Sequence, residues 1–234
     1  MISVPAISTR DSWSSAFRNR QMQDTGCAIP PIYPITDKKL ACRANHISIL
    51  KELVRGGAQC VQIRDKFTPL DELVRDLRQC VEFARMKGVT LLVNDRCDLV
   101  LSCGAAGVHL GQEDLPPEAA RAILGEKMII GFSTHSLAQV RKASAFPVQY
   151  LGFGPVYRTS TKGDASPSVG LRRLAHACRA SSVPVVAIGG IGLEQVRQVL
   201  GAGAASAAVI SALMKAPDLA RQMERFLNQA AKSF

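Results

Sequence analysis

Residues 62–66 read Gln-Ile-Arg-Asp-Lys, which puts an amide and two cations, Gln62, Arg64 and Lys66, at every second position. In an extended segment such residues share one face, with Val61 and Ile63 on the other. Apolar residues face covering helices, so the amide and cations face the opposite side. Burying two cations without partners is costly, so an anionic ligand is implied. The competing reading is an internal salt-bridge layer with Asp95 or Asp114. Asn94-Asp95 and Gly111-Gln112-Glu113-Asp114 close the next two apolar runs. Two carboxylates beside a basic cluster suit Mg²⁺ shared with a phosphorylated ligand, although aspartate at a strand end also caps helices. Thr159-Ser160-Thr161-Lys162-Gly163 joins hydroxyls to one cation, a composition that fits a surface turn or a phosphate-grasping flap. Gly189-Gly190 and Ile210-Ser211 end two later runs and offer backbone N–H groups and a hydroxyl to a second anion. Two anion-binding regions, one with a metal, imply two phosphorylated ligands.

These residues close short β-branched runs at 32–37, 60–66, 90–95, 107–111, 128–134, 150–156, 184–190 and 206–213. Helix-periodic segments lie between them. The clearest begins at Leu70, with Leu73, Val74, Leu77, Val81 and Ala84 on one stripe. Others are 47–55, 116–124, 136–145, 171–180, 192–201 and 217–227, with a short one after Asp95. Strands alternating with helices imply right-handed crossovers and a parallel sheet. Eight such units fit a single (β/α)₈ TIM barrel, which typically needs about 250 residues. The doubly wound alternative usually carries a Gly-rich turn after its first strand, where this chain has TDKKL. Barrels collect their chemistry at the C-terminal ends of the strands, with a customary phosphate site after strands seven and eight. The candidate residues follow that pattern.

Composition bounds the rest. In 234 residues, 47% hydrophobic and 21% charged is globular usage and excludes disordered, collagen-like and coiled-coil chains. No apolar stretch approaches the roughly 20 residues of a membrane span. The seven cysteines are scattered, with no C-x-x-C, and read as reduced thiols rather than a disulfide or zinc framework. Residues 1–30 lack a secretory apolar core and read as a flexible extension before a catalytic domain over 31–234, in a cytoplasmic protein. Homo-oligomerisation is left open. Lys+Arg 29 against Asp+Glu 19 gives +10, which raises nucleic-acid binding as a different class. The basic residues are dispersed, however, and aromatics are only 5%, so neither a basic face nor a stacking platform forms. The charge reads instead as a field drawing small polyanions inward.

VQIRDK, LLVNDRCDL, GVHLGQEDLP, GFSTHS, GFGPVYRTSTK, VVAIGGI and VISAL resemble, in order and spacing, the successive motifs of the thiamine phosphate synthase family, over about residues 31–227. The resemblance implies condensation of hydroxymethylpyrimidine diphosphate with thiazole phosphate, giving thiamine phosphate and pyrophosphate by Mg²⁺-assisted dissociative loss of diphosphate. It places Gln62, Arg64, Lys66 and Asn94 on the pyrimidine diphosphate, Ser133 near the pyrimidine, and Lys162 on the diphosphate. Asp95 and Asp114 match the Mg²⁺ ligands. Thr159, Thr161, Gly190, Ile210 and Ser211 match positions around the thiazole and its phosphate. The catalytic set implied is Arg64, Lys66, Lys162 and Ser133. Asp65 stands where the family usually has Glu, and Arg158 where Pro is usual. His135 occupies a position at which the related thiazole tautomerases carry a functional histidine. That branch typically lacks the full Lys66, Asp114 and Lys162 set, which favours the synthase. His135 then reads as a polar residue lining the mouth, and His109 as a satisfied interior histidine.

Overall fold

The structure, a computed structural model, describes residues 29–159 and 167–233. The extension expected over 1–30 lies outside the described residues except for Ile29 and Pro30. Strands β1 (Ile32–Pro34), β2 (Cys60–Ile63), β3 (Thr90–Asn94), β4 (Gly107–Leu110), β5 (Ile129–Thr134), β6 (Tyr150–Phe153), β7 (Val185–Ile188) and β8 (Ser206–Val209) are all parallel. Their order is β1-β8-β7-β6-β5-β4-β3-β2, so chain neighbours are sheet neighbours around a barrel. Helices α1 (Lys38–Ala41) and α2 (His46–Arg55) follow β1. Then come α3 (Leu70–Lys87), α4 (Cys97–Cys103), α5 (Pro117–Leu124), α6 (Leu137–Ala143), α7 (Gly170–Ala180) and α8 (Gln195–Gly201), one after each strand. Two helices, α9 (Ser211–Met214) and α10 (Leu219–Ala231), follow β8.

Period-2 alternation sorts the side chains into two cores. Ile32, Val61, Ile63, Leu91, Val93, Ile130, Phe132, Leu151 and Phe153 join the layer between strands and helices. Tyr33, Ile35, Cys60, Leu92, Tyr150, Val186 and Ala208 fill the lumen. A helix here is stabilised mainly by the apolar stripe it lays on the sheet. In α3 that stripe includes Leu73, Leu77, Cys80, Val81 and Ala84, and the helix stops at Gly88 with φ 65, a glycine-favouring left-handed cap.

The barrel closes by a narrow seam. β1 and β2 meet through one bridge, Ile35 to Gln62, and the Thr36 N–H donates to the Gln62 carbonyl at 2.9 Å. The Ile35 N–H donates instead to Val209 of β8 at 3.0 Å. Alternation therefore turns the position of the missing Pro34 N–H toward the seam, where a proline costs no ladder bond. At the other end of the seam lies a groove of about 1260 Å³ between Pro31, Cys60 and Thr90.

All eight strands are shorter than the runs that foretold them, and two show why. β1 ends early because the Asp37 carboxylate accepts the Leu40 N–H at 2.9 Å and caps the unforeseen α1. The run 206–213 divides at Ile210, where φ −117 and ψ −87 end the strand and Ser211 starts α9.

Candidate active site

β2 carries the first candidates. Gln62 and Arg64 line the top of the lumen with Asn94, His109 and Ile210, while Val61 and Ile63 belong to the helix-facing core. Gln62 starts a continuous chain of hydrogen bonds across the lumen. Its Nε2 donates to Tyr33 Oη at 2.8 Å; Tyr33 Oη lies 2.9 Å from Tyr150 Oη; Tyr150 Oη lies 2.9 Å from His109 Nδ1; and His109 Nε2 lies 2.9 Å from Ser133 Oγ. The two tyrosine hydroxyls, the imidazole and the serine hydroxyl can each donate or accept, and the chain ends on Ser133 Oγ at the mouth. His109 is the satisfied interior histidine that the strand position predicts, and it stacks on Tyr150 with centroids 5.4 Å apart.

Beyond Gln62 the cations reach the rim. Arg64 Nη1 lies 3.9 Å from Asp37 Oδ2, and Lys66 Nζ forms a short ion pair with Asp95. The salt-bridge reading of Lys66 thus describes this state of the molecule. It does not compete with ligand binding, because an exposed pair of this kind is exchangeable. Asp95 closes β3 at φ 65, a left-handed conformation that Asp and Asn adopt more readily than other side chains. Asp114 arrives from the β4 loop, its Oδ2 accepting the Gly111 N–H at 2.6 Å. Asp95 and Asp114 share a hydrogen bond. Burial works against ionisation of both, but Lys66 and Asp114 hold Asp95 below the usual carboxylate range, whereas burial and Asp95 push Asp114 up. Two neighbouring carboxyls, one of them held back from ionising by the other, are a place a cation can take. Among the described residues no three His, Cys, Asp or Glu side chains form a cage. Two carboxylates with room for waters and ligand phosphate are a donor set that suits Mg²⁺.

The residues expected to hold a second anion follow β7 and β8. Gly189 and Gly190 follow β7 with φ 98 and 66, and a Cβ on Gly190 would stand 2.5 Å from the Arg158 carbonyl oxygen and 2.8 Å from Tyr157 Cβ. The start of the strand-six loop therefore rests directly on Gly190, close to Ile210 and Ser211 at the end of β8. Thr159 is half-buried and hydrogen-bonded or otherwise engaged. Ser160, Thr161 and Lys162 lie outside the described residues. His135 is exposed, and its Nδ1 lies 2.7 Å from the Gly154 carbonyl oxygen, to which it donates. That bond holds the ring against the end of β6.

Sequence reasoning passed over Thr36, His46 and Asp76, which stand behind the cations. One signal was available: Asp76 interrupts the apolar stripe of α3 between Leu73 and Cys80 and is only 8% exposed. It also passed over the role of Asp65, which alternation turns away from the lumen. Burial opposes ionisation of Asp65, but hydrogen bonds from His46, Thr68 and the N–H groups of Phe67 and Thr68 hold its carboxyl far below the usual range. A depressed folded value stabilises the protein above the unfolded pKa of about 3.9, and that stability is lost as pH falls below it. Asp65→Asn should lower stability at pH 7 and flatten its decline below about pH 4. Urea melts at stepped pH check this, and parallel curves for the two proteins would refute it.

The comparisons with known proteins agree with this geometry. Residues 32–213 match the family described as thiamine monophosphate synthase. The thiamine-phosphate synthase of Azorhizobium caulinodans is 42% identical over 188 residues, which are 80% of this chain and 89% of that protein. That of Methanospirillum hungatei is 41% identical over 195 residues, 83% and 95% of the two chains. A solved thiamine phosphate pyrophosphorylase from Pyrococcus furiosus has a TM-score of 0.79 at 33% identity, covering 87% of this chain and 96% of its own. An eight-stranded barrel with a polar lumen, a cationic strand end facing two carboxyls, and this breadth of similarity lead to one placement: the chain belongs to the thiamine monophosphate synthase family.

Proposed function

We propose that the mouth of this barrel holds the two substrates of thiamine phosphate synthesis in separate halves, hydroxymethylpyrimidine diphosphate over β2–β5 and thiazole phosphate over β7 and β8. The reaction is the formation of thiamine phosphate with release of pyrophosphate. The observation that carries the division is the lumen relay. It ends on the Ser133 hydroxyl, which can donate or accept, and among the described residues it leaves the Gln62 side-chain carbonyl oxygen unengaged. Such a donor and acceptor complement the ring nitrogen and amino group of an aminopyrimidine. The work is assigned to one catalytic domain over 31–234. A cytoplasmic setting suits the described cysteines, all free thiols. Among the described residues no helix is long and apolar enough to cross a membrane.

The chain's own groups account for the chemistry. Arg64 and Lys66 neutralise charge that builds on the departing diphosphate, an effect worth most in a preorganised site. Lys162 is assigned the same role on the sequence resemblance. Mg²⁺, held by Asp95 and Asp114, would add further charge neutralisation at that group. Gln62, Asn94 and Ser133 orient the pyrimidine so that its electron-rich ring stabilises the cation left behind, and no enzymic nucleophile is needed. Gly190, Ile210, Ser211 and the hydroxyls of Thr159 and Thr161 hold the thiazole phosphate, so that the thiazole nitrogen is already positioned for attack.

The direct test is incubation with both substrates and Mg²⁺, following thiamine phosphate and pyrophosphate in equal amounts. No product from a folded preparation would refute the assignment. The division of the mouth has its own test. Ser211→Ala removes one hydrogen bond to a charged group, worth about 1.5–3 kcal/mol. The KM for thiazole phosphate should rise roughly tenfold or more, with the KM for the pyrimidine near its wild-type value. Equal weakening of both substrates would show the halves to be misassigned.

A further inference from the structure

The loop that carries the two cations is shaped from behind by a buried histidine. We propose that His46 is a positioning residue for the reaction, holding the β2–α3 loop so that Arg64 and Lys66 aim at the diphosphate. The proposal rests on the assignment of those two cations to that group.

His46 opens α2 and is fully buried. Its Nε2 lies 3.0 Å from Asp65 Oδ2 and its Nδ1 lies 2.9 Å from Thr36 Oγ1, which in turn accepts the Arg64 N–H at 3.2 Å. Both ends of this chain have fixed polarity, because an ionised carboxylate only accepts and a backbone N–H only donates. The ring nitrogen facing Asp65 must therefore carry the proton. Nδ1 closes the chain on Thr36 Oγ1, whose oxygen also receives the Arg64 N–H, so the chain links the backbone of Arg64 to the side chain of its neighbour Asp65.

Asp65 extends the grip along the loop. It accepts the N–H groups of Phe67 and Thr68, both at 2.9 Å, and the Thr68 hydroxyl at 2.7 Å, and Lys38 Nζ lies 3.2 Å away. Arg64, Phe67 and Thr68 are thus tied to Thr36 or Asp65 on either side of Lys66, whose side chain is left to reach Asp95. His46 itself is fixed from α3, where Asp76 accepts its N–H at 2.6 Å and that of Ile47 at 3.1 Å. An apolar side chain could fill this space, whereas a ring bonded at both nitrogens sets the geometry of the groups in front of it. Misplacing a reacting or charge-neutralising group by about 1 Å is enough to cost about 100-fold in rate.

Four variants and one spectrum test this. His46→Leu keeps bulk and removes both bonds; His46→Gln restores a donor toward Asp65; Thr36→Val breaks the link to Arg64; Arg64→Ala is the control for the site. In His46→Leu, kcat/KM for the pyrimidine diphosphate should fall by about 10- to 100-fold, while the KM for thiazole phosphate stays at the wild-type value. His46→Gln should recover most of the loss, and Thr36→Val should show the same selective pattern. Nitrogen-15 spectra of the histidine-labelled wild type, assigned with His46→Gln, should show a proton on Nε2. A folded His46→Leu enzyme with wild-type kcat/KM, a loss shared equally by both substrates, or an Nε2 without a proton would each overturn the proposal. If His46→Leu does not fold, Thr36→Val decides by the same criterion. An unimpaired Arg64→Ala enzyme would refute the site assignment on which the proposal stands. A crippled Arg64→Ala beside a fully active His46→Leu would refute the positioning role alone.

Discussion

Asp95→Asn should fold as the wild type does and lose turnover by about 10²- to 10³-fold, or about 3–4 kcal/mol of transition-state stabilisation. The choice of asparagine matters. Asp95 sits at φ 65, a conformation Asn tolerates and Ala resists, so the amide removes charge without adding backbone strain. The substitution also takes from Lys66 its ionic partner and from Asp114 the carboxyl with which it shares a hydrogen bond. A metal bound by one carboxylate instead of two should be needed at higher concentration, so raised Mg²⁺ should recover part of the activity. Steady-state kinetics across a Mg²⁺ titration, with a thermal melt as the folding control, check each part. Full activity of the wild type in excess EDTA, or undiminished turnover of the variant, would remove Asp95 from the metal-binding role.

Gly131→Ala should be strongly destabilising, because its added methyl group enters the filled lumen. Gly131 is paired with Tyr150 across β5 and β6. A Cβ there would stand 2.0 Å from the tyrosine Cζ and 2.4 Å from its hydroxyl oxygen. Tyr150 is fully buried and its hydroxyl is bonded to both Tyr33 and His109, so it cannot move without leaving polar groups unsatisfied. Overpacking at about 1–3 kcal/mol and an orphaned buried polar group at about 1–3 kcal/mol together predict a loss of about 2–6 kcal/mol. The melting temperature should fall by on the order of 10 °C. Gly201→Ala is the contrast, since nothing lies within 4 Å of its added Cβ, and it should be neutral or stabilising. Equal melting points for the two variants would mean that the lumen yields where the geometry says it cannot.

The alternation of short β-branched runs with helical stripes made the barrel readable, because each period reports a local burial pattern that the fold preserves. Gln62, Arg64, Asn94 and Asp95 were readable for the same reason, as polar residues at strand ends where apolar ones are the rule. The relay from Tyr33 through Tyr150 to His109 was not, since its links join residues 117 and 41 positions apart and no local period encodes them. His46 was hidden in a different way. It begins a helix capped by Asn45, so its sequence neighbourhood describes a helix start, while its ring serves the next strand's loop. The division at Ile210 was missed because Ser-Ala-Leu-Met is as apolar as a strand, and only the backbone turn at Ile210 separates the two.

The lumen relay draws one side chain from each of five strands: β1, β2, β4, β5 and β6. No single strand and its helix contain the relay, so it is inherited only as the whole span from Tyr33 to Tyr150. A chimera of two relatives with its crossover inside that span would take members of one hydrogen-bonded chain from different parents. Unless both parents place matching groups along it, a buried polar group would be left without its partner at the join. Recombination within this family should therefore be tolerated at junctions that leave Tyr33 to Tyr150 intact, and ancestry along that span should be shared even where its outer helices have diverged.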